Sequence, residues 1–182
     1  MRNLMIAAAA AGALLAGPAL AALSVGARAP EFSAPGYQGG KPLHFDLAAA
    51  LKKGPVVLYF FPAAHTSGCN LEAHLFAEAI DQFHAQGATV IGVTAGNIDQ
   101  LAAFSTETEH CSGKFPVASD PNAVIAKAYD ATLVMRPGWS DRTSYVIAPD
   151  GKILLAYSDL KPDQHVAKTL AAVTQWRAAH PR

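Results

Sequence analysis

"FFPAAHTSGCNLEAHLF", residues 60–76, begins as the end of an apolar strand and finishes as an amphipathic helix. Pro62, Thr66, Gly68 and Cys69 lie between the two, and Cys69 is one of only two cysteines in 182 residues. A cysteine in the first turn of a helix sits beside unpaired backbone N–H groups and the partial positive charge of the helix start. Both features favour a thiolate over a thiol. Taken singly, each residue has an ordinary reading: Thr66 as a helix cap, Pro62 as a strand stop, Cys69 as a small core hydrophobe. The joint spacing Pro-x-x-x-Thr-x-x-Cys at a strand-to-helix junction points instead to a reactive thiol, because functional groups gather at such junctions. Thr66 would offer a hydroxyl to the thiolate or to a bound oxygen substrate. Pro62 ends the strand without a donor, and Gly68 permits a close approach that a larger residue would block.

Working outward, "GPVVLYFF" (54–61) is a continuous apolar, β-branched run, the pattern of a strand buried on both faces. Leu71, Leu75, Ala79, Ile80 and Phe83 recur at helical spacing, and Gly87 ends that helix. "ATVIGVT" (88–94) is a second buried strand. Asn97 and Gln100 resemble a capping box that opens a helix through "IDQLAAFSTETEH" (98–110). "FPVASD" (115–120) predicts a short strand and "PNAVIAKAY" (121–129) a short helix with Pro121 in its first turn. "TSYVIAP", "DG" and "KILLAYS" (143–158) predict a hairpin with a two-residue turn. A last helix from about Pro162 carries Val166, Leu170, Val173 and Trp176 on one side. Before all of these, residues 24–42 are rich in Gly and Pro and read as an extended arm, followed by a short strand at "LHFDL" and a helical turn. This order is α/β, with a central mixed sheet and helices on both faces. The terminal antiparallel hairpin followed by a helix is how a thioredoxin-like sheet closes.

The first 21 residues, "MRNLMIAAAAAGALLAGPALA", have the layout of a secretory signal peptide cleaved after Ala21. Residues 22–182 then form one domain, expected to be periplasmic or secreted. The chain carries 14 Lys and Arg against 14 Asp and Glu, with no basic stripe or acidic tail. Nucleic acid and anionic membrane are therefore poor partners, and no stable membrane association is expected. Two cysteines form at most one disulfide, so this is not a disulfide scaffold.

"FPAAHTSGC" (61–69) matches the active-site motif of the peroxiredoxins, with Pro62, Thr66 and Cys69 in its fixed positions. The stretches at 56–76, 115–131, 142–153 and 157–166 are similar, in the same order, to the peroxiredoxin Q or bacterioferritin-comigratory branch. The resemblance implies a thioredoxin-fold peroxidase that reduces hydrogen peroxide and organic hydroperoxides. Cys69 would attack the O–O bond and become a sulfenic acid, releasing water or an alcohol. Arg142, just before the hairpin strand, occupies the position of the family's arginine and would hold the thiolate and stabilise charge on the peroxide oxygens. Glu72 also fits the branch pattern, as a secondary residue. The resemblance implies no metal or organic cofactor, only a thioredoxin-like or other dithiol reductant; the chain is read as a monomer or homodimer.

One departure stands out: many members of the branch place a resolving cysteine five residues after the first, where this chain has His74. Cys111 is the only other cysteine, at the far end of the helix expected over 98–110. That helix would carry it roughly 18–20 Å from the active-site edge, whereas bridged Cα atoms sit at most about 7 Å apart. A Cys69–Cys111 bond would need unwinding, and both a resolving role for Cys111 and a one-cysteine enzyme remain open. His65, His74, His84 and His110 raise the question of a metal. His65, Cys69 and His74 form no recognised closed ligand set, so surface histidines are expected. A different reading is an exported thioredoxin-like redox or binding protein without peroxide turnover. Such a carrier would want Cys-x-x-Cys and a cis-proline before the hairpin strand; the chain has Thr66-x-x-Cys69 and Arg142-Thr143. An inert export with a static Cys69–Cys111 disulfide is a third.

Overall fold

The computed structural model describes residues 22–181; the leader expected over 1–21 lies outside the described residues. Seven strands form one mixed sheet, in the order β2-β1-β5-β4-β3-β6-β7. They are β1 (Ser33–Gln38), β2 (Lys41–Asp46), β3 (Val56–Phe60), β4 (Thr89–Thr94), β5 (Val117–Ser119), β6 (Thr143–Ile147) and β7 (Ile153–Ser158). β3 pairs parallel with β4 and antiparallel with β6, and β4 pairs parallel with β5. The helices are α1 (Leu47–Leu51), α2 (Ser67–Ala85), α3 (Leu101–Thr106), α4 (Val124–Ala128) and α5 (His165–Ala179).

All five residues of β3 are fully buried, as a strand covered on both faces requires. Alternation along it divides two cores. Val57 and Tyr59 join Phe76 and Phe83 of α2, Phe104 of α3 and Val173 of α5. Val56, Leu58 and Phe60 join Leu47 and Leu51 of α1, Ala126 of α4, and Tyr129. Helices therefore cover both faces, as the sequence predicts.

Four expectations need correction. The Gly/Pro-rich arm is in part a strand: Gly39 and Gly40, both at positive φ, turn β1 onto β2. Gly36 lets β1 lie against β5, since a Cβ there would meet the Val117 carbonyl oxygen at 2.3 Å. The second correction concerns α2, whose buried stripe runs through Cys69, Glu72, Ala73, Phe76, Ile80 and Phe83, while Leu71 is exposed. A charged residue occupies an inward position, so hydrophobicity alone placed the inner face slightly wrong.

The third is the helix expected over 98–110. Asn97 does not cap it; it lies at φ 53° and its amide donates to the Ala64 carbonyl at 2.8 Å. A single 3-10 turn leads into α3, which ends at Thr106. The Ser105 and Thr106 hydroxyls both donate to the Ala102 carbonyl, and the Ser105 carbonyl accepts from Gly113 N–H at 2.8 Å. With those acceptors taken and Glu107 extended, the chain folds back through turns. The fourth is the last hairpin, which has a longer connection than two residues. Gly151 N–H donates to the Ala148 carbonyl, closing a turn around Pro149 and Asp150, and Gly151 itself sits at φ 82°.

Candidate active site

α2 starts directly after the loop that leaves β3. Thr66 is its N-cap residue in extended conformation, which places Cys69 third in the helix, beside the unpaired N–H groups of the first turn. The loop is fastened to the end of β4. Phe61 N–H donates to the Val93 carbonyl at 3.1 Å, and Thr94 Oγ1 donates to the Pro62 carbonyl at 3.1 Å. Gly96 admits this approach, because a Cβ there would meet the Pro62 oxygen at 2.3 Å.

Cys69 is 1% exposed and its Sγ accepts from Arg142 Nη2 at 3.4 Å. Arg142 stands one residue before β6, which pairs with β3 at Phe60↔Thr143, so the sheet itself carries the guanidinium to the start of α2. Arg142 Nη1 donates to Glu72 Oε2, and Nε donates to the Leu160 carbonyl at 2.8 Å. The guanidinium thus spans a thiol, a carboxylate and a backbone acceptor, the fork geometry that a lysine lacks. Burial works against the arginine's charge, but Glu72 and Cys69 outweigh it and raise its pKa. Gly68 makes room: a Cβ there would lie 3.0 Å from Arg142 Nη2.

Glu72 is fully buried. Burial pushes its pKa up to about 8, against the charge and hydrogen bond of Arg142. Its Oε1 faces His165 Nδ1 at 3.5 Å and has no hydrogen-bond partner. His165 opens α5 and is itself fully buried. Its Nε2 meets the Asp159 carbonyl at 2.8 Å, an acceptor, so that nitrogen carries the proton; Nδ1 accepts from the Ser144 hydroxyl at 2.8 Å. Burial lowers the His165 pKa, keeping the ring neutral. The Tyr59 hydroxyl is buried without a partner. Burial first, then the charges of Cys111, Glu72 and Cys69, drive its phenol well above the ordinary value.

Of the residues singled out in the sequence, Cys69, Arg142 and Glu72 come together. Glu72, secondary in that reading, is the arginine's buried acidic partner. The Thr66 hydroxyl makes no cap bond and no bond to Cys69; it donates to the Ala63 carbonyl at 3.1 Å. His165, Tyr59 and Ser144 were not foreseen, since nothing in their local sequence distinguishes them from core residues. A cavity of about 400 Å³ lined by Phe45, His84, Val90 and Phe115 touches none of these groups.

Cys111 is fully buried in the turns after α3, and both cysteines are free. Burial and then the nearby Glu107 push the Cys111 thiol far up. The expected long helix to Cys111 is absent, so the separation argued from it does not apply. Among the histidines, His65 and His110 meet at Glu107, whereas His74 pairs with Glu78 at 3.4 Å on the surface of α2.

A thioredoxin-like sheet with a buried cysteine and arginine at this junction defines a class, and comparison with known proteins identifies it. The AhpC/TSA family model matches residues 25–156; the chain belongs to this family and is a thiol-dependent peroxidase. A protein of Mycobacterium tuberculosis strain H37Rv that carries a peroxiredoxin name is 31% identical over 153 residues, covering 80% of this chain and 92% of its own length. The chloroplastic peroxiredoxin Q of Sedum lineare is 28% identical over 134 residues, 73% of this chain and 69% of that one. Among solved structures, peroxidoxin BcpB of Mycobacterium tuberculosis superposes with a TM-score of 0.71 at 29% identity, covering 83% of this chain and 96% of that one. A reduced 2-Cys peroxiredoxin of Plasmodium vivax gives a TM-score of 0.74 at 22% identity, over 86% and 84% of the two chains, a likeness of fold alone.

Proposed function

We propose that Cys69 is the peroxidatic nucleophile of this enzyme and Arg142 its electrostatic partner. The observation that carries the reading is the single guanidinium that reaches both Cys69 Sγ and Glu72 at the start of α2. The Cys69 thiolate attacks one peroxide oxygen of ROOH; the S–O bond forms as the O–O bond breaks. Sulfur is oxidised to the sulfenic acid, and RO⁻ departs and takes up a proton as water or alcohol. The Arg142 fork faces the charge that develops along this path, in a site dry enough for that charge to be felt strongly. Pro62 and Thr66 shape the loop over the sulfur. A peroxide oxygen arriving at Cys69 gives the Thr66 hydroxyl an alternative acceptor to the Ala63 carbonyl.

Cys111 is the resolving thiol in this scheme. Its thiol condenses with the sulfenic acid, forming the S–S bond and releasing water, and a thioredoxin-type dithiol then reduces the disulfide. The turns after α3 and the first turn of α2, which bury the two thiols, have to open for this bond. The leader-like residues 1–21 support export to the periplasm or beyond, where such a dithiol would have to be supplied. Among the described residues no helix is long and apolar enough to cross a membrane.

Trapping tests the assignment. One equivalent of hydrogen peroxide added to reduced Cys111→Ser protein with dimedone should give a single adduct, on the peptide that contains Cys69. Cys69 is then the sole thiol, so peroxide consumption without an adduct would contradict the assignment.

A further inference from the structure

His65, Glu107 and His110 gather their ligand atoms within 4.8 Å of one another. We propose that this cluster is a binding site for a borderline divalent transition-metal cation such as zinc, held by two imidazole nitrogens and one carboxylate. His65 belongs to the loop that precedes α2, and Glu107 lies 42 residues further along, in the turn after α3. His65 takes a positive φ of 60°, unusual for a residue with a side chain, and that conformation accompanies the ring's approach to Glu107.

The nitrogens are arranged as ligands. His65 Nδ1 meets Gln100 Oε1 at 2.7 Å, and an amide oxygen only accepts, so Nδ1 carries the proton. In the neutral ring Nε2 is then the bare nitrogen, 3.1 Å from Glu107 Oε2. A bare nitrogen facing a carboxylate oxygen is repulsive unless a second ring proton or a metal cation lies between them, and the zinc titration separates the two. The same division of the ring, one nitrogen bonded outward and the other bare, orients histidines around metals. His110 Nδ1 is 2.6 Å from the same Glu107 oxygen. The ring is 6% exposed, and that buried nitrogen has no hydrogen-bond partner of acceptable geometry. It is therefore a buried ring nitrogen left unsatisfied beside the Glu107 carboxylate. Phe104 fixes the rings, stacking on His110 at 4.9 Å and meeting His65 edge-on at 5.5 Å.

Zinc bonds of about 2.0–2.2 Å to nitrogen and oxygen separate tetrahedral ligand atoms by roughly 3.3–3.5 Å. The spacings to Glu107, 3.1 and 2.6 Å, open by a swing of its 44% exposed side chain, and the two ring nitrogens, within 4.8 Å of each other, have to close by at most about 1.5 Å. The exposed sides of His65 and Glu107 leave a fourth position for water. Two imidazoles and a carboxylate favour zinc, nickel or copper over calcium or magnesium. Occupancy would tie the loop before Thr66 to the turn that holds Cys111. No single stretch of sequence carries this site; it forms only where two loops meet.

The test is calorimetric titration of the reduced, purified protein with zinc chloride, followed by cobalt(II) spectroscopy. One equivalent should bind, and His65→Gln and Glu107→Gln should each weaken binding by at least about tenfold, with His74→Gln unaffected. His110→Gln should do the same if its far-UV spectrum is native; the two exposed variants keep the test decisive if it is not. Cobalt(II) should give tetrahedral or five-coordinate d–d bands without thiolate-to-metal charge transfer in the near ultraviolet. Absence of stoichiometric binding would reduce the cluster to an ion pair and overturn the proposal. So would thiolate bands, or binding insensitive to His65→Gln and Glu107→Gln.

Discussion

Arg142 Nη2 lies 3.4 Å from Cys69 Sγ while Nη1 of the same guanidinium holds the buried Glu72. One planar cation therefore faces two acidic groups across a single turn of α2. Its charge balances one negative charge, and in a buried site a second has no compensation. Burial keeps the proton on Glu72 up to a pKa of about 8, which leaves the guanidinium to serve the sulfur.

Removal of that cation should slow peroxide reduction by about 10²–10³-fold, the usual effect of deleting a donor to developing charge. Arg142→Ala should show this in single-turnover kinetics, and Arg142→Lys should recover only part. Arg136, stacked 3.4 Å over Trp139, should be replaceable by Ala without loss. A crippled Arg136→Ala beside a normal Arg142→Ala would mean that the wrong arginine has been assigned.

Gly68→Ala separates folding from chemistry. Alanine is the better helix former by up to about 1 kcal/mol, but its methyl would press on Arg142 Nη2 from 3.0 Å. Peroxide reduction should fall by roughly tenfold as the guanidinium is displaced from Cys69, with the denaturation midpoint unchanged or higher. An unaltered rate would show that the approach at Gly68 is not needed.

Glu72 predicts a pH dependence of stability. Its folded pKa is raised, so the native protein keeps a proton that the unfolded chain has released. The stabilisation is fully present below about pH 4.5 and is lost as pH rises toward about 8. Glu72→Gln removes this titration. The stability of wild type minus that of Glu72→Gln, from urea unfolding, should therefore decline steadily across that window. A difference that rises with pH would reverse the sign and exclude a protonated Glu72.

Much of this arrangement was legible in the sequence, for reasons that particular residues make plain. The run at 54–61 and the Pro62, Thr66, Cys69 spacing are local, and local signals survive in one dimension. Arg142 was legible only through the family resemblance, which expects an arginine just before the hairpin strand. Glu72 was only half legible, because a carboxylate at helical spacing looks like surface until its arginine, 70 residues away, is brought against it. His165 and Tyr59 depend on neighbours from several elements. The helix to Cys111 was overcalled because its end is set by a tertiary acceptor: Gly113 N–H takes the Ser105 carbonyl. The hairpin of β1 and β2 was missed because Gly36 and the Gly39-Gly40 turn resemble a linker until β5 lies alongside.

Cys111 carries the fourth prediction. One equivalent of peroxide should yield a Cys69–Cys111 linked peptide, and amide exchange should rise over residues 107–114 and at the start of α2. Cys111→Ser should still reduce the first equivalent at the wild-type rate, then stall as sulfenic acid with a thioredoxin-type reductant. Undiminished turnover by Cys111→Ser would make this a one-cysteine enzyme, resolved by an external thiol.

The central claim is that Cys69 is the atom that meets the peroxide. Stopped-flow measurement of hydrogen peroxide consumption by reduced wild type and by Cys69→Ser, with far-UV spectra to confirm equal folding, tests it directly. The account predicts rapid consumption of one equivalent by wild type and none above background by Cys69→Ser. Consumption by Cys69→Ser at the wild-type rate would contradict it.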